Sequence, residues 1–175
     1  MNIIISFSAR KNGNCDTIAR YIASENDLCI NMRELDLRPC AECSYECMTD
    51  KCVHNDEIYS LLEKCSHANK VFFIVPMYCG NPSSLYFILN ERSQDFFMRN
   101  ESLYEEFTKK LYIIGVYGNK QDYPDFLNLF QKQYEFSDAN EHILGLERHL
   151  YHHKINDLLL NENDVKEKIS VFLKK

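Results

Sequence analysis

Two uninterrupted apolar runs, "KVFFIVP" (Lys70–Pro76) and "KLYIIGVYGN" (Lys110–Asn119), constrain this chain more than any other feature. A strand wetted on one side alternates apolar and polar residues, whereas a strand apolar at every position is covered on both faces. Two such strands therefore imply a sheet held between two layers of helices. The segments between and around them carry helical spacing: Ile18, Ala19 and Ile22 on a helix over Cys15–Ser24, then Ile58, Leu61, Leu62 and Cys65 with Asn55 or Asp56 as N-cap. Leu85, Ile88 and Leu89 follow, then Phe126, Leu127, Phe130 and Tyr134, and finally Val165, Ile169 and Phe172. With "NIIISFS" (Asn2–Ser8), "LCINMRELD" and "HILGLE" as further strands, the reading is an α/β fold, a doubly wound five-stranded parallel sheet with helices on both faces.

At 175 residues the chain reads as a single domain over 1–175 with a Cys-rich loop at 39–53. Its net charge of −6 and the lack of a basic stripe argue against nucleic acid as a partner. The N-terminal apolar run is too short for a signal peptide, and no stretch approaches the about 20 apolar residues of a membrane span. The expected location is cytoplasmic, with no membrane partner, where thiols stay reduced.

In an open parallel sheet, ligands bind beyond the carboxyl ends of the strands. The first such loop, "SFSARKNGNCDT" (Ser6–Thr17), combines hydroxyls, Arg10, Lys11, Gly13 and an incoming helix N-terminus, which is what a phosphate needs. It is neither a P-loop nor G-x-G-x-x-G. Asp16, at the helix start, is expected to compete with a bound phosphate. The second loop, "PMYCGNPSS" (Pro76–Ser84), and the third, "GVYGNKQDY" (Gly115–Tyr123), each bring an aromatic ring, a glycine and an amide, suited to a planar heterocycle.

"SFSARKNGNCDTIA" and "VFFIVPMYCGNPSS" resemble the two signature loops of flavodoxin-like NAD(P)H-dependent FMN reductases. The Cys-rich segment and the helix after it resemble the subgroup that includes iron-sulfur flavoproteins. The resemblance implies a flavodoxin-like fold, FMN as cofactor and NAD(P)H as electron donor. It implies Ser8, Arg10, Asn14 and Cys15 around the FMN phosphate. Pro76, Met77, Tyr78, Gly80 and Asn81 would then lie along the isoalloxazine ring, with Tyr117, Gly118 and Asn119 on its other side. Ala9 and Cys15 depart from the family's usual residues.

Cys40, Cys43, Cys47 and Cys52 have the spacing C-x2-C-x3-C-x4-C. Four thiolates in one loop can ligate a [4Fe-4S] cluster; the alternative is a loop without metal, and zinc or a disulfide fits the spacing and compartment less well. Iron-sulfur flavoproteins place the third cysteine one residue earlier. Cys29 and Cys65 read as small core residues, Cys79 as an exposed thiol in the second loop. The histidines of "ERHLYHH", with His142, read as solvated surface.

The expected function is an NAD(P)H-dependent flavin oxidoreductase that reduces a small-molecule acceptor: flavin, quinone or nitroaromatic. An iron-sulfur electron carrier served by a ferredoxin-like protein is one alternative, a cofactor-free binding module the other. A homo-oligomer is expected, with the aromatic segment Arg92–Phe107 either at its interface or packed on its own domain.

Overall fold

The computed structural model describes residues 1–175 except 42, 50, 51, 99, 120–124, 152, 153 and 155. The first half runs β1 (Ile3–Ser6), α1 (Asn14–Ile22), β2 (Leu28–Asn31), α2 (Ile58–His67), β3 (Val71–Tyr78) and β4 (Asn81–Pro82). Then come α3 (Ser84–Arg92), α4 (Gln94–Met98), α5 (Glu101–Lys109), β5 (Leu111–Tyr117), α6 (Asp125–Tyr134), α7 (Ala139–His142), β6 (Ile143–Glu147) and α8 (Asn163–Leu173). Five strands pair in the order β2-β1-β3-β5-β6, all in parallel. The sixth, β4, folds back antiparallel on the end of β3. It is too short to leave a periodic pattern.

The period of two in each strand sorts the core into two layers. Ile3, Ile5, Val71, Phe73, Val75, Leu111 and Ile113 face one layer, with buried residues of α2 to α6. Ile4, Phe72, Ile74, Tyr112, Ile114 and Val116 face the other, with α1 and α8. That is why β3 and β5 carry apolar side chains on both faces.

On the face covered by α6, Gly115 and Gly145 are paired neighbours across β5 and β6. A Cβ at Gly115 would lie 2.5 Å from a Leu127 methyl, and one at Gly145 would lie 2.6 Å from the other. The two glycines therefore form a shallow trough into which Leu127 drops, seating α6 close to the sheet.

The aromatic segment packs on its own domain. Phe97 and Phe107 are buried with ring centroids 4.9 Å apart, each burial being favourable by about 1.5–3 kcal/mol. Phe96 meets Tyr59 edge-on, and the Tyr104 hydroxyl donates to the Gln133 carbonyl. Cys65 is buried as expected, and burial pushes its thiol up to about 12. Cys29 is exposed, a correction to the sequence reading: β2 is the sheet edge, and its inward face is carried by Leu28 and Ile30 instead. Among the described residues, no helix is long and apolar enough to cross a membrane.

Candidate functional site

The loop between β1 and α1 is organised from beneath by Asp16. Its fully buried carboxylate accepts from the Ser6 hydroxyl at 2.7 Å and the Asn12 N–H at 2.8 Å. It also takes both arms of Arg33 at 2.9 Å. Burial alone would raise the Asp16 pKa, but Arg33, Ser6 and the Asn12 N–H outweigh it and hold the carboxyl below its ordinary value. This corrects the expectation that Asp16 competes with a phosphate: its charge is matched by Arg33, and its oxygens face into the loop. Arg33 is placed by the single 3-10 turn Met32–Glu34, where the second strand, read as running further, ends.

The loop closes on itself above that carboxylate. The Ser8 hydroxyl accepts from the Arg10 N–H and donates to the Arg10 carbonyl. The left-handed position is Asn12, with φ of 55°, not Gly13. Gly13 instead caps α1 with extended dihedrals and no side-chain acceptor, which leaves the first N–H groups of the helix without a side-chain cap. Asn14 Oδ1 accepts from the Leu159 N–H at 2.7 Å. The Cys15 thiol is buried, and burial together with the neighbouring Asp16 charge pushes its pKa far up. Cys15 therefore offers the site its backbone, not a thiolate.

The second loop is a two-residue hairpin. Tyr78 pairs with Asn81, and the residues between them, Cys79 and Gly80, have φ of 48° and 82°, as a type I′ turn requires. Gly80 suits that conformation, whereas Cys79 adopts it as an L-residue with a side chain. The Asn81 side chain donates to the Cys79 carbonyl, and Tyr78 stays 45% exposed. Ser83 ties this hairpin to the first loop by donating to the Phe7 carbonyl at 2.7 Å, while its oxygen caps α3.

Of the third loop, residues 120–123 lie outside the described residues. Its first part is held by backbone bonds: Arg148 N–H donates to the Tyr117 carbonyl and His149 N–H to that of Gly118. Burial, and then Glu147, raise the Tyr117 phenol above its ordinary pKa.

The three loops meet around one cavity of about 130 Å³. From the first loop it is lined by Ser8, Arg10, Gly13, Asn14 and Cys15, from the second by Pro76, Met77 and Tyr78. From β5 and beyond it is lined by Val116, Tyr117 and Gly118. Gly80, Asn81 and Asn119 are not in its wall; Gly80 and Asn81 shape the hairpin beside it. Arg148 completes the lining and was missed by the sequence reading, which assigned its segment to solvated surface. It directly follows β6, so applying the strand-end rule to the last strand would have found it.

Of the described histidines in this cluster, His142 and His149 have separate surroundings. His142 Nδ1 contacts the Leu111 carbonyl at 2.8 Å and its ring stacks on Phe136 at 4.5 Å, so it belongs to the fold and corrects the surface reading. His149 is exposed beside Gly118, and His152 and His153 lie outside the described residues.

Cys40, Cys43, Cys47 and Cys52 line a separate cavity of about 410 Å³, with His54, Arg92 and Asp95. None of the four is in a disulfide. Burial, then the Cys43 and Asp95 charges, raise Cys47. Among the described residues no three His, Cys, Asp or Glu side chains converge as a metal-binding group. As arranged, the thiols share a wall without forming a ligand set, so the expected [4Fe-4S] site is not supported. Beneath this loop Arg92, 1% exposed, pairs with the fully buried Asp56 at 2.7 Å and donates to the Arg38 carbonyl. Asp56 also accepts from the Ile58 N–H, although Glu57 is the residue that caps α2.

The family model for NADPH-dependent FMN reductase matches residues 2–121, more than half of the chain. The chain belongs to that family. Among solved structures it is similar to the Trp repressor binding protein from Bacillus subtilis, with a TM-score of 0.69 at 15% identity over 100% of this chain and 99% of that one. It is also similar to RosB with bound intermediate 8-demethyl-8-formylriboflavin-5'-phosphate, with a TM-score of 0.58 at 12% identity over 83% of this chain and 64% of that one. A flavone reductase gives a TM-score of 0.54 at 15% identity over 99% of this chain and 60% of that one. The chain spans less than two thirds of the length of the last two. These likenesses establish the flavodoxin-like fold. No curated protein sequence matches the chain.

Proposed function

We propose that this member of the family binds FMN at the three-loop edge and serves as an NAD(P)H-dependent flavin oxidoreductase with a small acceptor: free flavin, a quinone or a nitroaromatic. The observation that carries this reading is the meeting of the three strand-end loops around a cavity with cationic lining, at the uncapped N-terminus of α1. An anionic group fits there, because among the described residues that line it there is no carboxylate.

In this reading Arg10 and the N–H groups of Asn14 and Cys15 hold the phosphate, and the Ser8 hydroxyl keeps the loop in shape. Pro76, Met77 and Tyr78 lie along the ring from the second loop, with Gly80 and Asn81 setting the turn that aims them. Tyr117, Gly118 and Asn119 stand on the other side. When bound, FMN supplies the chemistry of hydride acceptance from NAD(P)H and electron delivery to the acceptor. The chain's own task is to bind, orient and partly shield it, and no acid–base side chain is assigned. The exposed Tyr78 edge suits a homo-oligomer that covers the ring, and eight cysteines with none in a disulfide suit a cytoplasmic location.

The iron-sulfur carrier with a ferredoxin-like partner would require the loop cysteines to move together, and the residues present do not fit a cluster as they stand. The cofactor-free module rests on Asp16 and Cys15; the pairing of Asp16 with Arg33 removes the first motive, and the buried Cys15 leaves its backbone N–H as its contribution to a phosphate.

The test is anaerobic mixing of the purified protein with FMN and then NADPH or NADH. Protein-bound flavin whose absorbance bleaches with either nucleotide supports the reading. A protein that neither contains nor takes up FMN would falsify it.

A further inference from the structure

Arg148 and Arg10 reach the same small cavity from opposite ends of the chain, 138 residues apart in sequence, and both are anchored by the C-terminal segment. Arg10 Nη2 donates to Asn156 Oδ1 at 2.6 Å. Arg148 Nη2 donates to the Lys154 carbonyl at 3.0 Å. Asn14 is joined to the same segment through the Leu159 N–H. The backbone of Arg148 is itself fixed, because its N–H continues the ladder onto the Tyr117 carbonyl.

What remains unsatisfied is one donor of Arg148. Arg148 Nε is buried with no hydrogen-bond partner, and a buried guanidinium N–H without an acceptor is costly. Its wall of the cavity holds a second guanidinium, the uncapped end of α1 and, among the described residues, no carboxylate. Among the described residues, the Asp16 carboxylate is taken up by Arg33 and that of Asp157 by the Lys154 N–H, while Glu147 acts on the Tyr117 phenol. An anion with several acceptor oxygens would satisfy these groups together, and a phosphate monoester has that form.

We infer that Arg148 is a second guanidinium ligand of the cofactor's phosphate, facing Arg10 across the site. This rests on the FMN reading above, and adds a residue that lies beyond the part of the chain the family model matches. The C-terminal segment thereby becomes part of the phosphate site, through Asn156 on Arg10 and Leu159 on Asn14, as well as cover for the sheet.

The experiment compares FMN with riboflavin, which lacks the phosphate, by fluorescence titration of the full chain and of R148M and R148K. A charge-assisted contact to phosphate predicts that R148M weakens FMN binding by about ten- to a hundredfold and leaves riboflavin unchanged. R148K, which keeps the charge but not the fork, should fall between. Inorganic phosphate should compete with FMN and not with riboflavin in the wild type, and less effectively in R148M. Equal FMN affinity in R148M and wild type would overturn the inference. So would equal losses for FMN and riboflavin with a lowered melting temperature, since Arg148 would then only tether Lys154. A wild type that binds neither FMN nor phosphate contradicts the cofactor reading itself; one that binds FMN while R148M binds it equally contradicts this inference alone.

Discussion

Arg33 grips both oxygens of Asp16, each at 2.9 Å, and so joins the turn after β2 to the first turn of α1 beneath the loop between β1 and α1. The same guanidinium donates to the Ser8 carbonyl at 3.0 Å. The loop that is proposed to hold a phosphate is thus shaped by an ion pair whose acid faces inward.

Asp16→Asn should therefore weaken the protein rather than free a phosphate site. Removing one partner of a buried pair leaves the other uncompensated and costs about 3–5 kcal/mol; since Asn keeps an acceptor for Ser6 or Asn12, a loss of about 3 kcal/mol is expected. Urea unfolding measures it, and FMN affinity should fall in parallel. A stability within about 0.5 kcal/mol of wild type, the range of ordinary surface changes, would contradict this role.

Arg92→Met should cost a similar amount, because Asp56 would be left charged with none of its side chain exposed. Replacing both, as Arg92→Met with Asp56→Asn, should recover part of the loss. The double-mutant cycle in urea gives the coupling directly; additive losses would mean that the pair does not act as a unit.

Stability should fall in acid. Asp27 accepts from the Asn2 and Ser24 N–H groups and the Ser24 hydroxyl, which outweigh burial and lower its pKa from 3.8 to about 2. A carboxyl whose folded pKa lies below its unfolded value stabilises the fold above the unfolded value, and the contribution is lost as pH falls through the folded one. Asp16 and Asp56 are shifted in the same direction. The melting temperature should therefore hold above about pH 5 and drop through the acid range. Asp27→Asn should flatten the part of the drop between pH 3.8 and about 2; an unchanged profile would remove Asp27 from the account.

Gly115→Ala should destabilise by about 1–3 kcal/mol, the usual cost of overpacking, because the new methyl meets Leu127 at 2.5 Å. The contact is with the tip of a side chain, so adding Leu127→Ala should relieve it, and the two changes should cost less together than the sum of their separate losses. Calorimetry of the three variants checks this. Strict additivity would mean that the trough does not seat α6.

The layered fold was legible because its cause is local: strands covered on both faces cannot hide their apolar runs. The hairpin strand β4, the edge position of Cys29 and the end of β2 at Asn31 were not, since each depends on which strand lies at the margin or on a single turn. Within the site, residues at the ends of β1, β3 and β5 could be read from the loops that follow them. Asp16 was misread because its partner Arg33 lies on another strand connection, 17 residues on. Arg148 was missed because it stands in a histidine-rich stretch, while in space it lines one cavity with Arg10 and bonds the Tyr117 carbonyl. The loop cysteines marked a real cavity, but spacing alone does not say whether thiols converge.

The most direct measurement is a calorimetric titration of the purified full chain with FMN. The account predicts saturable binding of one FMN per chain, weakened by added phosphate. An absence of binding across the accessible concentration range, in a protein shown by circular dichroism to be folded, would contradict it.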